Sequence, residues 1–91
     1  MSIVVRFHPS NLTAEKYDES HPKVEEAGFP PDGLDTHVCF GSPGGLTVSE
    51  IWDSREQFEA WAEMLMPVLT EFGIEFSGEP EVFEIHNVMR R

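Results

Sequence analysis

The stretch VSEIW, residues 48–52, sets a carboxylate and an indole two residues apart. In an extended segment Glu50 and Trp52 project from the same face, because strand side chains alternate. A carboxylate beside an aromatic wall either lines a ligand pocket or is a buried charge that needs a partner, since burying it alone is costly. Arg6 is the expected partner, reaching across the sheet. Four histidines add proton-transfer chemistry, because imidazole changes charge near neutral pH. His86 and His8 are the preferred catalytic candidates, as they fall on segments expected to be neighbouring strands. His21 lies on the inward stripe of a helix, where it can look into a pocket with Trp52, Tyr17, Phe58, Trp61 and Glu50. His37 and Cys39 have the His-x-Cys spacing that lets two strand side chains reach one metal. A third ligand would have to come from His8 or His86, and the expected strand order holds His37 far from His86, so no metal site is assigned. Cys39 has no neighbouring pattern that would activate a thiolate. Each aromatic also has a packing explanation, because any pocket wall in a small fold doubles as core.

Six elements position these residues. Residues 2–8, SIVVRFH, alternate and are β-branched, which predicts a first strand ended by Pro9. A helix follows, capped by Asn11 or Thr13, with a stripe through Tyr17, His21 and Val24. Pro22 falls inside it, and a proline there removes a backbone bond and clashes with the preceding turn, predicting a kink or break near residues 19–21. GFPPDGL, residues 28–34, is turn chemistry. Residues 35–41 and 46–52 read as strands joined by the SPGG hairpin. Ser54 and Gln57 form an S-x-x-Q helix-start signal. Phe58, Trp61, Leu65, Val68 or Leu69, and Phe72 trace one face of the second helix, Pro67 is expected to bend it, and Gly73 stops it. Residues 81–89 read as the last strand. The order β-α-β-β-α-β, with right-handed crossovers, predicts an α+β ferredoxin-like fold spanning 1–91 as a single domain. Its sheet is four antiparallel strands in order 4-1-3-2 with both helices on one side. Neither face of the expected strands is simply polar, whereas a sheet with one solvated face alternates more cleanly. Both faces are therefore expected to be covered, the second by another copy of the chain in an interface above about 2,000 Å².

Composition narrows the partners. The chain has 91 residues, 17 acidic against 6 basic, a formal charge of −11, and two Trp, one Tyr and seven Phe within a 40% hydrophobic total. That aromatic and apolar content argues against disorder. The acidic balance excludes nucleic acid as a natural partner, because phosphate contacts need Lys and Arg clusters. No stretch approaches the ~20 apolar residues of a membrane span, and the first residues lack a secretory pattern. One cysteine excludes an internal disulfide framework and fits a reducing compartment, so a cytoplasmic protein is expected.

VSEIWDSREQFEAW, residues 48–61, and LMPVLTEFG, residues 65–73, set in this six-element order, resemble the small dimeric α+β-barrel proteins. That superfamily includes the antibiotic-biosynthesis-monooxygenase-like domains. The resemblance spans essentially the whole chain. It implies that two sheets pair into an eight-stranded barrel with helices outside, and that any ligand pocket lies between the sheet and helices of each protomer. Haem-degrading relatives carry an axial histidine on the second helix, and residues 54–73 contain none, so no haem or other cofactor is expected. Trp52 matches the indole of cofactor-free quinone-forming monooxygenases; the asparagine that some of them carry near the first strand has no match. Two functions follow as expectations. One is binding or transformation of a small apolar or aromatic molecule in a cavity of about 300 Å³ or more. The other is a non-catalytic homodimer with no ligand site.

Overall fold

Strong periodicity and well-placed caps give the elements. The computed structural model describes residues 2–91, in the order β1 (Ile3–Phe7), α1 (Ala14–Glu26), β2 (Leu34–Ser42), β3 (Gly45–Trp52), α2 (Arg55–Glu71) and β4 (Glu81–Glu84). The strands form one antiparallel sheet in the order β2-β3-β1-β4, the expected 4-1-3-2 read from the other edge. This is an α+β ferredoxin-like fold. No helix among the described residues is long and apolar enough to cross a membrane.

The helix-facing side of the sheet is where the core sits. Val5 and Trp52 are wholly buried there, with Ile3, Phe7 and Val48 around them and Phe58 and Trp61 of α2 above. Phe58 stands between Phe7 and Trp52, with ring centroids 6.0 and 5.7 Å away, distances typical of aromatic pairs that add to area burial. The opposite side carries Val38, Phe40 and Phe83, each more than 40% exposed.

The ends of α2 follow from its sequence. The Ser54 hydroxyl accepts the Gln57 backbone N–H at 3.2 Å and donates to Gln57 Oε1 at 2.9 Å, so the side-chain pair closes on itself. At the other end Gly73 takes φ +70°, and the Ile74 N–H reaches back to the Leu69 carbonyl at 3.0 Å. That reversal satisfies a last-turn carbonyl and turns Ile74 into the core. Thr13 caps α1 by accepting the Lys16 N–H at 3.1 Å. Asn11 instead clamps the chain after α2, donating to the Gly73 carbonyl and accepting the Glu75 N–H, both at 2.8 Å.

Three details differ from the sequence expectation. First, α1 runs on through Pro22 without the break that was one of the two expected outcomes there; α2 likewise runs on through Pro67. Both prolines are exposed, as are Asp18 and Glu63 four residues earlier, whose carbonyls lose a helical donor. Water can serve such carbonyls, so neither helix breaks. Second, β4 ends at Glu84, which pairs with Ile3, the first residue of β1; one further bond, from the Ile85 N–H to the Ser2 carbonyl at 3.2 Å, closes the ladder. The chain instead runs on to bring Arg90 Nη2 within 2.6 Å of Asp35 Oδ2 near the start of β2. Third, a register shift between Leu34 and Thr36 sets Leu34 opposite Trp52. Without that bulge the inward residue would be Asp35, a charge against a buried indole.

Candidate functional site

One row of the sheet carries most of the polar chemistry. The registers align Val82, Val5, Glu50 and His37 side by side across β4, β1, β3 and β2. Glu50 is only 3% exposed, and two donors compensate its burial. The Trp52 indole N–H donates to Glu50 Oε1 at 3.0 Å, and His37 Nδ1 lies 2.6 Å from Glu50 Oε2. The second ring nitrogen, His37 Nε2, lies 2.8 Å from the Tyr17 hydroxyl, which comes down from α1. Trp52, Glu50, His37 and Tyr17 thus form one unbroken hydrogen-bonded chain from the core to the inner face of α1. No buried side-chain polar atom among the described residues lacks a partner.

The expected Arg6–Glu50 pair does not form. Arg6 lies opposite Ser49 and Glu81, on the other face of the sheet from Glu50. With both ring nitrogens engaged, His37 has none free for a metal alongside Cys39. No cluster of three or more ligating side chains occurs among the described residues.

Tyr17, His37 and Glu50 border a cavity of about 80 Å³ between the sheet and the two helices. Ser20 and His21 complete its polar wall; Phe7, Leu12, Phe29, Trp61, Leu65 and Ile74 supply much of the apolar remainder. The volume is well below the 300 Å³ expected from the sequence. The His21 ring packs against Tyr17 and edge-on to Phe29, with centroids 5.5 and 5.6 Å away. Burial, then the charges of Cys39, Glu50 and Asp18, push the Tyr17 phenol above its ordinary range. Burial and the Asp18 carboxylate do the same to the Cys39 thiol. Both groups therefore stay protonated at neutral pH, and Cys39 presents no thiolate nucleophile.

The residues singled out in the sequence separate into three places. Tyr17, His21, Trp61 and Glu50 border the cavity. Trp52 and Phe58 stand behind it as core, Trp52 acting on it through Glu50. His8 and His86 are away from it. His8 Nε2 pairs with Glu81 Oε1 at 2.5 Å in solvent, and His86 is exposed beyond the end of β4. His37 joins His21 at the cavity, and the sequence held a signal for it. A two-residue turn at Pro43–Gly44 fixes Ser42 opposite Gly45, and counting back five pairs sets His37 opposite Glu50.

No family model and no curated protein matches the chain. Solved structures do. The chain covers 99% of itself and 96% of SnoaB, described as a cofactor-independent oxygenase from Streptomyces nogalater, at TM-score 0.66 and 11% identity. A Chloroflexus aurantiacus protein assigned to the antibiotic biosynthesis monooxygenases matches at TM-score 0.61 and 14% identity, over 98% of this chain and 95% of that one. A heme-degrading protein from Mycobacterium tuberculosis matches at 0.59 and 17%, over 99% and 100%. These likenesses establish the fold and leave activity to be argued from the site. The chain shares the ferredoxin-like fold of these solved structures.

Proposed function

We propose that this protein binds a small apolar or aromatic molecule between its sheet and helices and transforms it without a cofactor, in a monooxygenase-like role. The observation that carries the reading is the cavity itself, largely apolar and polar along one wall, where Tyr17, His21, His37 and Glu50 meet. Convergent polar groups in an apolar recess are the usual form of a small-ligand site. The fold of SnoaB, described as a cofactor-independent oxygenase, supports the same direction. The test is a backbone-amide NMR titration of the protein with a panel of one-ring aromatics. Saturable shifts confined to cavity residues are expected, and Leu65→Trp, which fills the space, should abolish them. Absence of saturable shifts across the panel overturns the reading. It would favour the second reading, a non-catalytic homodimer, which the small cavity volume of about 80 Å³ also favours.

We propose further that the working form is a homodimer in the cytoplasm. Val38, Phe40 and Phe83 stand exposed on three strands of the uncovered sheet face, an apolar arrangement that a second copy would remove from water. The single free Cys39 suits a reducing compartment. Sedimentation equilibrium should give twice the chain mass, and Phe40→Glu should return it to one. A stable single copy of the unaltered protein overturns the dimer.

A further inference from the structure

We infer that Tyr17, His37 and Glu50 form a proton-abstracting relay that takes a weakly acidic hydroxyl or activated C–H proton from a molecule of at most one ring. The inference rests on the cavity reading above and gives it a substrate class and a reactive group.

The direction of each hydrogen bond carries the argument. Glu50 accepts the indole N–H through Oε1, and an ionised carboxylate has only acceptor sites. With Glu50 ionised, as the relay takes it, the other oxygen, 2.6 Å from His37 Nδ1, accepts from that nitrogen, which then holds a proton. A neutral His37 is then left with Nε2 as an acceptor, and the Tyr17 hydroxyl is the group that donates to it. Hence the imidazole lone pair of His37 lies at the cavity wall, aimed at the phenol oxygen. A carboxylate behind a histidine fixes its tautomer and stabilises the imidazolium that forms on protonation.

The step balances as follows. The bond from substrate to its acidic hydrogen breaks, and that proton joins the Tyr17 oxygen. The original Tyr17 proton passes to His37 Nε2. Tyr17 ends neutral, His37 ends as an imidazolium facing the Glu50 carboxylate, and the substrate keeps the electron pair as its anion. No oxidant or metal enters this step. Tyr17 and His37 are the catalytic residues; Glu50 is a positioning residue acting through His37, and Trp52 one acting through Glu50. The size limit comes from the cavity: about 80 Å³ is below the roughly 150 Å³ in which a buried cavity holds benzene, so one ring enters only as the leucine and phenylalanine walls give.

The test has two readouts. Nitrogen-15 NMR of the imidazole should show His37 in the Nδ1–H tautomer. In Glu50→Gln the amide oxygen can keep the indole bond while its NH₂ donates to Nδ1, so His37 should change to Nε2–H and lose its acceptor. An Nε2–H tautomer in the unaltered protein overturns the relay, and that measurement alone suffices should the substituted chain not fold. The second readout is absorbance of 4-nitrophenol at a pH where the free probe is mostly neutral. The unaltered protein should bind it as the coloured phenolate, and Glu50→Gln should lower the ionised fraction about tenfold at equal occupancy, one pKa unit of lost preference. Binding with equal ionisation in both forms overturns the relay alone. No uptake by either form overturns the cavity reading, while the tautomer measurement still decides the relay.

Discussion

A buried carboxylate is tolerable only as part of a set, and at Glu50 the set is legible atom by atom. The indole N–H of Trp52 and the imidazole of His37 satisfy its two oxygens, and neither Val5 nor Val82 in the same row offers a polar atom. Trp52→Phe keeps most of the ring volume and deletes one donor. The expected loss is about 1–3 kcal/mol in urea denaturation, the cost of an unsatisfied buried acceptor. Combining it with Glu50→Gln should give a clearly non-additive result, because the two groups share one bond. The sequence showed this pair at once, since alternation fixes Glu50 and Trp52 on one face. It misled on the partner, because Arg6 is the obvious counter-charge by type. The sheet's parity rules Arg6 out: Val5, not Arg6, lies opposite Glu50.

At the scale of elements, most of the fold was written in local chemistry. The Ser54 cap, the α2 stripe ending at Gly73 and the Pro43–Gly44 turn each specify geometry through residues close in sequence. What resisted reading depends on distant partners. β4 stops at Glu84 because β1 begins at Ile3, and the bulge at Leu34 exists because Trp52 waits across the ladder. The cavity was legible in part, since Tyr17 and His21 share the α1 stripe. Its volume was not, because that depends on how Phe29, Leu65 and Ile74 pack from separate elements. The prolines teach a related lesson. Pro22 sits in a continuous α1 and withholds a donor from the exposed Asp18 carbonyl, a cost to stability that does not end the helix. Pro22→Ala should restore an N–H for the Asp18 carbonyl and raise stability by about 1 kcal/mol or more in denaturant melts.

For the whole molecule, the raised pKa values of Tyr17 and Cys39 set a pH response. Both folded-state values lie above the ordinary ones, so the folded chain favours the protonated groups. The stability this gives is complete below the ordinary values and is lost as pH rises through the folded ones. Melting temperature is therefore expected to fall above about pH 9, and Tyr17→Phe should flatten that decline. A rise in stability over the same interval would contradict the assignment. The location of the relay has one more outcome. β2 is a rim strand with a neighbour only in β3, and the bond from His37 to Tyr17 ties its inner side to α1. Anything that draws the tyrosine hydroxyl toward a guest lets that rim breathe. Occupancy deep inside should then be readable at the perimeter, as quicker deuterium uptake by the β2 amides while β1 keeps its protection.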